Sequence, residues 1–349
     1  MKKKIIISSA VIVVVLALGA VGFYFHSLRP VSEESNNVQF VIKSGTSSRD
    51  ILRDLEHAGM IRNANVAFIY TKLNRLTLKA GVYEINSSMS TRDILTQIST
   101  GQTNETKKIT FIEGRRLNHF VKQISEEFPY TEEEIHALLS DKEYLEELID
   151  KYEFLTDEIL HKDIYYPLEG YLFPDTYEFR IDASIKTIIE KMLDNTERKL
   201  KPLMEDIEKG KHTVHEILTM AAIIELEGSK EEDRRNISSV IHRRVALNMS
   251  LGMDPTTHYA VRKEITEPLT RSDLNTKNPF NTRDVNLIGL PIGPIANPSL
   301  MSIKATMNPG VVDYLFFVSD KNKKLYFTRN ATEHASKITE LRQQGLWLE

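Results

Sequence analysis

Among the acidic side chains of this 349-residue chain, Glu225 stands where an apolar residue belongs. The stretch Thr213 to Glu227 reads TVHEILTMAAIIELE, with Thr213 as a helix N-cap and Gly228 as the stop. On a 3.6-residue period Val214, Leu218 and Ala221 share one line, flanked by Ile217, Ala222 and Ile224, and Glu225 falls on that line. Glu216 and Glu227 project from the other side, where a soluble helix keeps its charges. A carboxyl kept dry resists ionising, and a carboxylic acid still protonated near neutral pH can donate to a leaving oxygen. The competing reading places Glu225 in the last turn, past the end of the stripe, with its side chain in water. On this pattern Glu227 belongs in a surface salt bridge.

Other chemistries are excluded or unsupported by composition. Cysteine is absent, which removes disulfides, thiol nucleophiles and Cys-ligated zinc. The histidines show no paired metal-ligand spacing, so neither a metal nor another cofactor is expected. No phosphate-binding or nucleophile-elbow motif occurs. Setting aside Lys2, Lys3 and Lys4 takes the net charge from −4 to −7, which argues against nucleic acid as a partner.

The elements that must position a catalytic helix follow from patterning. Residues 5–24 carry no charge and are long enough to cross a bilayer as a helix. Lysines precede them and Glu33 and Glu34 follow, so the expectation is a single-pass anchor with a cytoplasmic N-terminus. A cleaved signal peptide is the rival view. Polar residues from Ser27 to Asn37 read as a tether. Phe40 to Leu52 then repeats at Tyr83 to Leu95, offset by 43 residues with seven of thirteen positions identical. Each copy reads as a strand, a small-residue turn and a Ser-capped helix with Asp50 or Asp93 in its first turn. The first copy resembles the LysM fold, a carbohydrate-binding module, so a glycan grip and a plain spacer are the two alternatives for this region.

Further on, a strand and turn from Thr106 onward precede amphipathic helices at 117–128, 131–140 and 142–151. The segment from Tyr166 to Tyr177, with four aromatics and two prolines, reads either as a sugar-stacking wall or as a plug between domains. A long charged helix is expected over 184–207. Another spans 231–247, with a basic face of Arg234, Arg235, Arg243 and Arg244. The proline- and asparagine-rich stretch from Leu274 to Asn297 is too irregular for helix or central strand, and such loops are commonly functional. Asn297-Pro298 is expected to cap a helix through Met307, followed by a hairpin over 314–328 and a last helix.

Taken together these motifs resemble the YceG-like, or MltG, family of membrane-anchored endolytic murein transglycosylases. The resemblance runs through EGYLFPDTY at Glu169–Tyr177, AIIELE at Ala222–Glu227, DPT at Asp254–Thr256 and FNT at Phe280–Thr282. It continues with GLPIGPIANP at Gly289–Pro298, then Asn308-Pro309 and YLFFV at Tyr314–Val318. The chain departs from the family pattern at Leu226, Arg243, Gly252-Met253 and Ile292. The resemblance implies an α+β protein: a cytoplasmic tail (1–4), a transmembrane helix (5–25), a tether (26–37) and a LysM-like subdomain (38–103). A connecting strand and helical subdomain (104–212) and a mixed α/β catalytic domain (213–349) complete it. It implies non-hydrolytic cleavage of MurNAc–GlcNAc β-1,4 bonds in peptidoglycan, with Glu225 as the catalytic acid. Asp254, Thr256, Asn281 and Thr282 are expected to line the cleft, against the alternative that they form turns and caps. Glycan strands are the expected partner, with membrane-bound synthases beside them. A two-carboxylate muramidase using Asp254 or Glu227, and an inactive wall-binding scaffold, remain as alternatives.

Overall fold

The computed structural model describes residues 16–32, 37–43, 45–101 and 106–347. Residues 5–15 of the expected membrane span (5–25), and the expected cytoplasmic tail before them, lie outside the described residues. Among the described residues no helix is long and apolar enough to cross a membrane. A helix α1 (16–27) leads into a segment that reads as tether but is partly docked. Ser27 and Leu28 are buried, Thr91 N donates to Leu28 O, and Ser32 N donates to Ser87 O.

The protein is a mixed α+β chain of two compact units, the first comprising residues 1–108 and 178–184 and the second 109–177 and 185–349. In the first unit β1 (Asn37–Ile42) pairs antiparallel with β2 (Gly81–Asn86), with Phe40 opposite Tyr83. These two residues also occupy equivalent positions in the sequence repeat, so the copies meet across a local pseudo-twofold axis through that pair. The helices obey the same offset: α2 (Ser48–His57) and α4 (Thr91–Thr100) start and end 43 residues apart. Ser47 accepts from Asp50 N and Ser90 from Asp93 N, each satisfying an orphan amide of the first turn. Between the copies lies α3 (Ala64–Leu73). Ile51, Leu52, Leu55, Tyr83, Ile85, Ile94, Leu95 and Ile98 close the core. The chain passes between units at β3 (Thr106–Thr110) and β4 (Thr176–Arg180), which pair as a two-stranded sheet.

The second unit carries α5 (Leu117–Glu127), α6 (Glu132–Leu139) and α7 (Lys142–Lys151). The helix expected over 184–207 is interrupted: α8 (Ile185–Leu200) gives way to a 3-10 turn (Lys201–Leu203) before α9 (Met204–Lys209). Pro202 is the cause, since it lacks an amide to donate and its ring clashes with the preceding turn. Of the four aromatics in the segment after α7, Tyr171, Phe173 and Tyr177 are buried in the packing of the second unit, and Tyr166 is half-buried.

At the centre stands α10 (Val214–Glu227), with Thr213 and Glu216 in a reciprocal capping box. Every residue from Ile217 to Ile224 is buried, so this helix has no solvent side along those two turns. Around it pack α11 (Glu231–Ala246), α12 (Asp254–Ala260) and α14 (Leu300–Met307), with a short α13 (Arg271–Leu274) beside α12. The cap of α14 is Ser299, whose side chain accepts from Ser302 N. Asn297, expected in that role, instead accepts from Leu172 N and donates to Arg115 O. The hairpin β5 (Phe316–Ser319) and β6 (Leu325–Thr328) and the final helix α15 (Ala331–Gln343) complete the unit.

The stretch from 275 to 298 is irregular, and side chains hold it where backbone ladders do not. His215 of α10 bonds Ile292 O through Nε2 and Tyr171 Oη through Nδ1, both at 2.7 Å. A carbonyl only accepts, so Nε2 carries the proton, and in the neutral ring Nδ1 accepts from the phenol. Gly170, at φ +83°, lies so close to Pro294 that an added Cβ would sit 2.3 Å from the ring. Glu169 ties the same loop to two helices. It accepts from Leu117 N at the start of α5 (2.9 Å), Asn297 Nδ2 (3.3 Å) and Tyr259 Oη of α12 (3.3 Å). Burial nevertheless pushes its carboxyl up to about 8.

Candidate active site

The two glutamates at the end of α10 have opposite fates. The side chain of Glu225 is 6% exposed, and both of its oxygens are engaged. Oε1 accepts from Arg234 Nη2 of α11 at 2.7 Å. Oε2 accepts from Ser299 N (2.9 Å), Ser299 Oγ and Ser302 Oγ (2.8 Å) at the start of α14. A carboxylate at a helix N-terminus satisfies orphan amides and meets the positive end of the dipole. A Cβ added at Gly114 would meet the Cγ of Glu225 at 3.4 Å, and the loop carrying Gly114 is fastened by Gly114 N to Asn297 O and Asn297 N to Arg115 O. Burial and the charge of Glu225 raise the pKa of Glu113, on the same loop. Glu225 is dry, as the periodicity suggests, but it is sealed and saturated, a tie between α10, α11 and α14.

Glu227 is half-buried in the wall of a cavity of about 650 Å³. The salt bridge expected for it falls on Glu225. Loss of solvent, and then the negative charge of Asp254, push the Glu227 carboxyl up to about 8, with Arg283 pulling the other way. Such a group is protonated at neutral pH and faces an open space, the two properties required of a general acid.

The remaining wall comes from several parts of the chain. From the start of α12, Asp254 reaches the cavity and pairs with Arg283 of the irregular loop; both side chains are about half exposed. Arg244 of α11 donates to Leu315 O (2.6 Å), Ser250 O (3.1 Å) and Leu251 O (2.7 Å), with its guanidinium 4.6 Å from the Phe316 ring centroid. This is the basic face read from the sequence, and three of its members are committed: Arg234 to Glu225, Arg235 to Asn308 O and Arg244 to the cavity wall. From α15, the His334 ring stacks on Phe316 at 5.3 Å. Burial and then the two arginines lower its pKa, which keeps it neutral. Trp347 closes one side.

Of the four residues expected to contact substrate, only Asp254 lines this cavity. Thr256, Asn281 and Thr282 are fully buried behind it, with their polar atoms occupied within the protein. Thr282 Oγ1 accepts from Met253 N (3.0 Å) and lies 2.8 Å from Thr256 Oγ1, which itself donates to Met253 O (2.6 Å). Asn281 accepts from Thr257 Oγ1 (2.6 Å) and donates to Leu274 O and Thr276 O. These three residues fasten the loop carrying Arg283 to the helix start carrying Asp254, which corrects the contact role to a positioning one. The turn-and-cap alternative is the better description of them. Sequence reasoning named Glu227 only as a carboxylate of the muramidase alternative, and it missed Arg244, Arg283, Phe316, His334 and Trp347. The basic face of α11 was the one visible signal for Arg244, and nothing in the pattern distinguished the others.

The central helix thus carries a carboxyl of raised pKa into the wall of a polar, aromatic-lined cavity. The chain belongs to the YceG-like family, which matches residues 40–340. It is 34% identical to the endolytic murein transglycosylase of Bacillus subtilis, over 91% of this chain and 89% of that protein. It is 32% identical to the endolytic murein transglycosylase of Streptococcus pneumoniae D39, over 94% of this chain and 64% of that one. The crystal structure of a yceG-like protein from Listeria monocytogenes superposes with a TM-score of 0.63 at 34% identity, covering 87% of this chain and all of that one.

Proposed function

We propose that this chain is a peptidoglycan lytic transglycosylase whose general acid is Glu227. The observation that carries the reading is the contrast at the end of α10: Glu225 is saturated and sealed, whereas Glu227 faces the cavity with its carboxyl raised to about 8. Family membership supports the substrate class and reaction.

In this mechanism the Glu227 carboxyl protonates the glycosidic oxygen as the C1–O bond of MurNAc breaks. The substrate's own 2-acetamido carbonyl stabilises C1 meanwhile. The resulting Glu227 carboxylate takes the proton of the C6 hydroxyl, whose oxygen attacks C1 and closes a 1,6-anhydro ring. Glu227 ends protonated, as it began, so one carboxyl serves both half-reactions. An intramolecular hydroxyl holds a large effective-concentration advantage over water. Asp254 sustains the raised pKa of Glu227, and Arg283 holds Asp254 in place.

Digestion of purified glycan strands followed by mass spectrometry of the ends tests this directly. Anhydro-muramyl ends are expected, and they disappear in Glu227→Gln. If Glu225→Gln, shown to be folded, loses cleavage while Glu227→Gln keeps it, the acid is Glu225, the residue that the family motif suggests. A second reading rests on the presence of Glu227 and Asp254 in one cavity: a two-carboxylate muramidase, which would leave reducing ends instead.

The uncharged run at 5–24 after three lysines supports membrane anchoring with the catalytic unit outside the cytoplasm. A tethered site reaches only glycan near the membrane, which supports cutting of nascent strands beside the synthases that make them.

A further inference from the structure

We infer that Trp347 forms a sugar subsite in the Glu227 cavity, stacking its indole against the apolar face of an N-acetylhexosamine ring of the glycan strand. The inference rests on the functional reading above and extends it to a residue outside every motif that reading used. Trp347 is the single tryptophan of the chain, half-buried in the same cavity wall as Glu227. Its position is built. Gly345, at φ +63°, turns the chain after α15, and Leu346 N donates to Leu341 O at 2.8 Å. Lys321, in the turn between β5 and β6, then clamps the segment from the other side: its backbone N donates to Leu346 O (2.9 Å) and its Nζ to Gly345 O (2.6 Å). Arg342, which does not line the cavity, places its guanidinium 5.1 Å from the indole and steadies the ring from outside.

The chemistry of the wall matches a pyranose. A sugar ring has a C–H face that gains from an aromatic surface and a polar rim that needs hydrogen-bonding groups. Here Trp347 supplies the first, and Asp254, Arg283 and Ser319 the second. In the aromatic cluster at 166–177, Tyr171, Phe173 and Tyr177 are buried and present no face to a sugar.

The single tryptophan makes the test direct. The full-length Glu227→Gln protein, which leaves strands uncut, is titrated with soluble glycan strands while tryptophan emission is followed, and affinity is measured in parallel by calorimetry. A saturable emission change is expected. Trp347→Ala should weaken binding by roughly three- to tenfold, and Trp347→Phe should restore most of it. Unchanged emission through saturation, no binding at all, or a Trp347→Ala protein that binds like its parent would overturn the subsite. Cleavage by the wild-type protein is scored separately on the same strands. Cutting with a silent Trp347 removes this inference and keeps the enzyme, whereas an emission change without cutting keeps the subsite and removes the transglycosylase reading.

Discussion

Replacing Glu227 with Gln should make the protein more stable at neutral pH, and replacing Glu225 should do the reverse. In the folded protein the Glu227 carboxyl holds its proton up to about 8, against 4.5 when free of the fold. The stability linked to that proton is fully present below pH 4.5 and is lost as pH rises through about 8. At pH 7 the unfolded chain has ionised and the folded chain has not, which costs folding about 3 kcal/mol, at roughly 1.4 kcal/mol per pH unit. A glutamine of the same shape is neutral in both states and escapes that cost. Glu227→Gln is therefore expected to gain up to about 3 kcal/mol at pH 7 and almost nothing at pH 4. Glu225→Gln weakens a buried ion pair with Arg234 and should lose about 3–5 kcal/mol at pH 7. Urea denaturation of the full-length protein at the two pH values, followed by circular dichroism, reads both. A Glu227→Gln variant that is destabilised at pH 7, or equally stabilised at pH 4, would refute the assignment of a protonated, unpartnered acid.

Other outcomes follow from the same geometry. Cleavage should fall as pH rises through about 8, where Glu227 ionises, and Asp254→Asn should move that fall to lower pH by removing a neighbouring negative charge; a pH profile that does not move contradicts the coupling. Gly170→Ala forces a Cβ into Pro294 at a positive φ and should cost more than about 2 kcal/mol, checked by the thermal midpoint. Thr282→Val leaves the buried Met253 amide without its acceptor, so a loss of about 1–3 kcal/mol is expected, with strand affinity retained in the folded fraction. A Thr282→Val protein as stable as wild type but unable to bind strands would return Thr282 to the substrate-contacting role.

Local rules carried most of the secondary structure. Thr213, Ser47 and Ser90 cap helices where their spacing to the following apolar residues says they must, because a cap is settled within four residues of chain. The repeat was legible to the residue, down to helices of equal length. Where the reading slipped, distant chain was responsible. Asn297 looked like a cap and is instead a bridge to Arg115 and Leu172, far away in sequence. Tyr171, Phe173 and Tyr177 could have walled a sugar site, and only the packing of the second unit made them core.

What this sequence determined by itself was a capped, apolar helix ending in two glutamates, set among motifs in a family's order. Which glutamate works as an acid was decided by tertiary structure. Helical phase tells which side a residue leaves from, and around α10 nearly every side is protein. Arg234 and the start of α14 arrive from other parts of the chain to claim Glu225, while Asp254 and the C-terminal hairpin and helix leave space beside Glu227. A carboxyl's proton affinity depends on water and charge in three dimensions, and one helix carries no record of its neighbours.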